Sequence, residues 1–509
     1  MSGGDSKSAR AIAAEVLQRF DPAHAYAGPI LESLLDRTQE RQRATDLVYG
    51  TIRNLHAIDA VISEFSGRLP NRISSVLLSI IRVAVYELVY NPATPVYSIV
   101  NEAVTDAGRA GGKKQTGFVN AVLRQVARHI SDRQAGLSAS DARRTLVQTP
   151  ETGCVFDSDF LPDPATAEAA YLVECFSLPP WLVTYWLDEY GPQQTRSICL
   201  ACNRRPSLYV RVNPLRTTAE GLLERFAQAG IRAERVVSGG VVRAESLGND
   251  SSCRGRPARD SRAGRPRHGA AKMAATQPGG GWEPPDNASR RPQMIRITGP
   301  HAVTQLPGFA EGLFTVQDLS ASQAVRALEP QPGWSILDMC SAPGTKTTQL
   351  AEATRDSACI TATDIDPKRL ERVQENVTRL GFKSVTIVRE GQIGPETAGS
   401  FDAVLLDVPC SNTGVFARRV EARFRIRPNI IEQLAVTQRD LLARATSLVR
   451  AGGRICYSTC SIQEAENQGL VRDFLARNGQ CQLVREERIL PSAQRFDHDG
   501  AYVALLMKK

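Results

Sequence analysis

A chain of 509 residues is too long for one domain; at about 150 residues each, roughly three are expected. The 42% hydrophobic content supports ordinary packed cores, and without a run of 18 apolar residues a transmembrane helix is excluded. The net charge of +8 points to an acidic partner such as RNA, but nine Lys or Arg against three Asp or Glu between Arg254 and Arg291 put most of the surplus in one segment.

The first twenty residues, MSGGDSKSARAIAAEVLQRF, have no apolar core of the kind a signal peptide carries. A cytoplasmic protein is expected, with its eleven scattered cysteines as free thiols. Residues 1–133 read as an all-α domain: AIAAEVLQRF, GPILESLLDR, QRATDLVYGTIRNLHAIDAVISEF and ISSVLLSIIRVAVYELVY carry apolar residues at spacings of three and four. SIVNEAVTDAGRA and TGFVNAVLRQVARHI continue the pattern. Residues 134–165 are polar without a sustained period and read as a linker.

A small α+β domain is expected over 166–238. PPWLVTYWLDEYG has the start and stop signals of a helix, PSLYVRVNP and IRAERVV read as strands, and TAEGLLERFAQAG as an amphipathic helix. Cys199 and Cys202 have CxxC spacing, but with no second pair nearby they read as buried helix residues rather than a zinc site, and no metal is expected in the chain. Residues 239–292 are rich in Gly, Pro and Arg with almost no apolar clusters, so a disordered basic insertion is expected there.

From 293 to 509 strand and helix patterns alternate, which predicts a mostly parallel, Rossmann-like sheet with helices on both faces and a ligand at the carboxyl ends of the strands. LDMCSAPGTKT (337–347) joins the first strand to the first helix; its small residues and Gly344 let a ligand approach the backbone. It matches neither GxxxxGK[ST] nor GxGxxG. The second strand ends in TDID, and Asp364 there is suited to accept ribose hydroxyls. This combination fits NAD and S-adenosylmethionine equally. LLDVPCSNTG (405–414) and RICYSTCSI (454–462) then place Cys410 and Cys460 at two strand tips, where two thiols could form a disulfide, bind metal or do chemistry.

With LDMCSAPGTKT, DVPCSNTG and YSTCSIQEAEN in this order, the chain resembles RNA 5-methylcytosine methyltransferases. LVYGTIR, NEAV and GFVNAVLRQ resemble the NusB-like domain fused to the RsmB (Sun/Fmu) branch, and LPPWLVTYW, LYVRVNPLR and VQDLSASQAV resemble that branch's later segments. The resemblance implies transfer of a methyl group from S-adenosylmethionine to a cytidine of small-subunit (16S) ribosomal RNA by a cytoplasmic protein, taken to be a monomer. Carbon-5 of cytosine is a poor nucleophile, and a thiolate adding at carbon-6 activates it. Chemistry leaves open which cysteine attacks; the resemblance makes Cys460 the nucleophile and gives Cys410 a part in product release, with Asp407 beside cofactor and base. It also implies that Cys340, Ser341, Ala342, Pro343, Gly344, Thr345 and Lys346 form the cofactor loop, with Asp364, Asp407 and, near the adenine, Gln392.

Two positions depart from the family. Thr345 stands where a second glycine is usual, which is tolerable if no positive φ is needed there. Gln392 stands where an acid is usual. RRVEARFRIR (418–427) holds five arginines, and Arg418, Arg419 and Arg423 are expected to contact RNA phosphates. The competing readings are the same chemistry on transfer RNA or large-subunit RNA, and a non-catalytic RNA-binding assembly factor.

Overall fold

Ser8 opens the first helix by accepting the amide hydrogen of Ala11 at its N-terminus. In the computed structural model, which describes residues 6–22, 24–236, 292–299 and 301–509, helices then follow one another from Ala9 to His129. Their apolar stripes meet in two clusters, one around Ile12, Val16 and Val48, the other around Val61, Ile81 and Leu123.

The presumed linker is folded. β1 (Ile130–Gly136), β2 (Thr145–Val147) and β3 (Thr152–Phe156) form an antiparallel sheet in the order β1-β3-β2. These strands are too short to show a sustained period, yet Leu146, Cys154 and Phe156 are buried and Phe156 stacks on Phe65 of the helical domain. Arg133 of β1 donates to the carbonyls of Glu87, Leu88 and Asn91 at a helix C-terminus.

The helix Pro180–Asn203 is broken where the sequence marks it: Gly191 has φ of 72° and Pro192 starts the second half. Cys199 and Cys202 lie buried on that half. β4 (Leu208–Val212), β5 (Ala233–Arg235), β6 (Met294–Ile297) and β7 (Phe314–Val316) form one antiparallel sheet in the order β5-β6-β4-β7. The expected boundary at 293 is therefore displaced: β6 and β7 complete the middle sheet, because both strands pair with β4. The expected disordered insertion, apart from Pro292, lies outside the described residues.

The last sheet consists of β8 (Ser335–Asp338), β9 (Cys359–Ala362), β10 (Val385–Ile387), β11 (Phe401–Asp407), β12 (Val449–Thr459), β13 (Cys481–Ile489) and β14 (Ala501–Lys508). The order is β10-β9-β8-β11-β12-β14-β13; β8 to β12 are parallel and β14 runs against both neighbours. One apolar cluster covers each face, as alternation of strand and helix predicts. No helix among the described residues is long and apolar enough to cross a membrane.

Candidate active site

The neighbouring parallel strands β8 and β11 both end in an acid, at the same edge as the tip of β12. The register sets Asp338 of β8 opposite Leu405 of β11, and Asp407 opposite Ser458 of β12. Cys410 and Cys460 follow just beyond those tips.

The loop after β8 is held by its own backbone and by β9. The Ser341 amide donates to the Thr363 carbonyl at 3.0 Å and the Gly344 amide to the Ser341 carbonyl at 2.6 Å. Gly344 has φ of 95°, and a β-carbon there would come within 3.2 Å of Val373, so this position requires glycine. Thr345 is simply the first residue of the helix Thr345–Ala353, so the departure from the family's second glycine costs no strain. That helix is anchored from the middle sheet: the buried Arg211 donates to Thr345 O (3.0 Å), Thr348 Oγ1 (3.0 Å) and Glu352 Oε1 (2.9 Å).

Asp364 braces the loop, accepting from the Ala342 amide at 3.2 Å and pairing with Arg369 at 3.3 Å. Ile365 beside it is 80% exposed. Asp338 Oδ1, Ser341 Oγ and Thr363 Oγ1 are buried around the loop without a hydrogen-bond partner. Such orphaned groups suit a polar ligand, and the amino, carboxylate and ribose groups of S-adenosylmethionine can supply partners. Burial pushes the Asp338 carboxyl up to about 7, against the Thr347 hydroxyl, which donates to it at 2.7 Å. Sequence reasoning missed Asp338, although it carries the signal that singled out Asp364 and Asp407, an acid at a strand tip.

Asp407 accepts from Lys346 Nζ at 2.6 Å and from Ser458 Oγ at 3.0 Å. The Lys346 ammonium is desolvated, but the charge of Asp407 and the hydrogen bond to it outweigh burial and raise its pKa. The two sulfurs stand 3.0 Å apart, and Cys460 Sγ lies 3.4 Å from Asn412 Oδ1. The hydrogen bond to Cys460 and burial together hold Cys410 as a neutral thiol, its pKa well above the ordinary thiol value. Burial also raises Cys340, at the start of the cofactor loop.

Gln392 is exposed and closes its own three-residue turn, its amide oxygen accepting from the Arg389 amide at 2.8 Å. The expected phosphate contacts of the arginine-rich segment are corrected here. The arginine-rich segment is mostly an internal clasp. Arg423 is buried and donates to the carbonyls of Arg53, Phe176, Cys202 and Phe416 and to Asn203 Oδ1. Arg418 pairs with Asp318 at 2.9 Å and Asp499 at 2.7 Å. These partners are buried polar groups that need donors, a demand that spacing in the sequence does not reveal. Arg419 remains exposed, with no side-chain partner among the described residues.

Residues 325–505 match the family described as 16S rRNA methyltransferase RsmB/F, residues 7–128 the NusB family, and residues 178–242 a ferredoxin-like domain of RsmF/B-like methyltransferases. The ribosomal RNA small subunit methyltransferase B of Serratia proteamaculans is 30% identical over 98% of both chains. The chain belongs to the ribosomal RNA small subunit methyltransferase B family. Its Escherichia coli O17:K52:H18 relative of the same name is 28% identical over 99% of both chains. The crystal structure of PH0851 shares the fold, with a TM-score of 0.67 at 23% identity and 99% coverage of both chains. The chain is thus an S-adenosylmethionine-dependent methyltransferase, with a NusB-like helical domain, a ferredoxin-like middle domain and a mixed-sheet catalytic domain.

Proposed function

We propose that the chain methylates carbon-5 of a cytidine in small-subunit (16S) ribosomal RNA through a covalent adduct between Cys460 and the base. The observation that carries this reading is the pair of thiols 3.0 Å apart, beside the Lys346–Asp407 ion pair. The relatives' names supply the substrate class.

S-adenosylmethionine supplies an electrophilic methyl group; the loop Cys340–Lys346, with Asp338 and Asp364, would hold it. The Cys460 sulfur adds to carbon-6, and the ring nitrogen takes a proton by way of Asp407, so that carbon-5 gains enamine character. The hydrogen bond to Cys460 and burial hold Cys410 as the thiol, which leaves Cys460 for the nucleophilic role that the family resemblance implies. After methyl transfer a base such as water takes the carbon-5 proton, the carbon–sulfur bond breaks with its electrons returning to Cys460, the ring nitrogen gives its proton back to Asp407, and Cys410, in contact with Cys460, assists release. Arg419 is free to meet an RNA phosphate. The target base must be single-stranded or flipped to reach the sulfur.

The test is a trapping assay with unmodified small-subunit ribosomal RNA and S-adenosylmethionine on a denaturing gel. Cys410→Ala should accumulate an RNA-linked band; Cys460→Ala should form none and transfer no methyl group. Methylation by Cys460→Ala together with no adduct from Cys410→Ala would reverse the roles.

A further inference from the structure

Each of the two cysteines is followed by a serine, and both serines turn to one carboxylate. Glu466, fully buried, accepts from the Ser411 amide (2.8 Å) and Gln438 Nε2 (3.0 Å) on Oε1. On Oε2 it accepts from Ser461 Oγ (2.5 Å) and from the Ser411 hydroxyl. The two hydroxyls also touch each other at 3.0 Å. All four partners donate, so a single side chain from the turn Glu464–Glu466 ties the loop after β11 to the loop after β12.

The rest of the cluster fixes Glu466 itself. Tyr457 on β12 donates to the Glu466 carbonyl at 2.6 Å, with its hydroxyl 3.2 Å from Gln438 Oε1. Gln438, on the helix Pro428–Leu448, also donates to the Pro409 carbonyl at 2.9 Å, one residue before Cys410. Asn467 donates to the Ser461 carbonyl at 2.9 Å, one residue after Cys460. None of these groups has to touch substrate, and the reaction as described makes no use of them.

We propose that Glu466 is the positioning residue of the cysteine pair: by holding Ser411 and Ser461 on one carboxylate, it sets the contact between the Cys410 and Cys460 sulfurs. The inference rests on the covalent reading above. A buried negative charge on the Cys410 side has a second consequence. It opposes ionisation of Cys410, in the same sense as the hydrogen bond to Cys460 and burial. An apolar residue at 466 would leave four donors without an acceptor and let the loops separate.

The test uses the full chain as wild type, Glu466→Gln and Ser461→Ala. Four readouts are taken: cofactor affinity by calorimetry, thermal unfolding, kcat and KM for methyl transfer to unmodified small-subunit ribosomal RNA, and the pH dependence of iodoacetamide alkylation at each cysteine by peptide mass mapping. Both variants should keep cofactor affinity and RNA KM within about twofold, with kcat down about 100-fold for Glu466→Gln and about tenfold for Ser461→Ala. Alkylation of Cys410 should begin at lower pH in Glu466→Gln, which removes the charge, and at the wild-type pH in Ser461→Ala, which keeps it. Wild-type kcat in either variant, or a loss confined to KM or cofactor affinity, overturns the proposal. Should Glu466→Gln fail to fold, the kcat of Ser461→Ala decides alone. If Cys410→Ala with Glu466 intact forms no RNA adduct, the covalent reading falls and this inference with it; an adduct there alongside normal kcat in the Glu466 variant overturns only the role of Glu466.

Discussion

Arg423 Nη1 donates to the carbonyl of Arg53 at 2.8 Å, and Arg53 Nη2 donates to the carbonyl of Ala417 at 2.8 Å. A helix of the N-terminal domain and the segment behind the Cys410 loop thus hold each other reciprocally, across 370 residues of sequence. Burial pushes the Arg423 guanidinium down to about 9, the mark of a cation held by carbonyls rather than by a carboxylate.

Arg423→Ala should therefore act on the fold. It leaves the carbonyls of Arg53, Phe176, Cys202 and Phe416 without this donor, at a cost of about 3 kcal/mol in unfolding free energy. Arg423→Lys should restore little, because an ammonium has three donors and no planar fork. Denaturant unfolding measures the loss, and the salt dependence of RNA binding should match wild type. A shallower salt slope with unchanged stability would instead place Arg423 on a phosphate.

Arg423 also shows where the sequence stops being informative. The βα alternation and the motifs around Gly344, Cys410 and Cys460 are local patterns, and the fold class and cofactor loop were legible from them. What a long side chain reaches is not local. Five arginines within ten residues read as a phosphate-binding face, yet four of them are engaged within the fold, Arg425 with the carbonyls of Pro22 and Ala25 and Arg427 with those of Phe424 and Ile426. The sheet of β1, β2 and β3 was missed for the opposite reason: its strands are too short to build a period, and they form because Leu146 and Phe156 find a core supplied by distant helices.

The cofactor loop gives a paired prediction. Gly344→Ala forces a side chain into the left-handed region and against Val373, so it should cost about 1–2 kcal/mol and weaken S-adenosylmethionine binding about tenfold. Thr345→Gly restores the family's second glycine and should gain no affinity, since position 345 is already helical; it should lower stability by about 0.5–1 kcal/mol. Calorimetry and thermal unfolding on the two variants separate these outcomes. Tighter binding by Thr345→Gly would mean that the threonine perturbs the loop.

Ile365, exposed beside Asp364, offers an apolar face next to the acid that suits a ribose. Covering such a side chain with a purine ring removes apolar area worth about 1–2 kcal/mol. Ile365→Ser should weaken binding of S-adenosylmethionine about tenfold without lowering the melting temperature of the unliganded chain. A variant that binds as wild type would place the purine elsewhere.

Asp338 makes stability and binding depend on pH in opposite senses. Its carboxyl titrates at about 7 in the folded chain, against 3.8 for the ordinary group, because burial disfavours the charge. The unfolded chain releases this proton first, so the contribution of Asp338 to stability is complete below pH 3.8 and is lost as pH rises through about 7. Asp338→Asn has no proton to lose. The difference in unfolding free energy between wild type and Asp338→Asn should shift against wild type from pH 4 to pH 7 and level off above, as denaturant titrations at each pH would show. Cofactor affinity should run the other way. S-adenosylmethionine carries a sulfonium and an ammonium, and the buried Oδ1 of Asp338 is unpartnered at the edge of its loop, so binding should tighten as the carboxyl ionises through pH 7 and remain flat in Asp338→Asn. Equal pH slopes in the two proteins, for both unfolding and binding, would mean that Asp338 titrates with the ordinary carboxylates and plays no part in holding the cation.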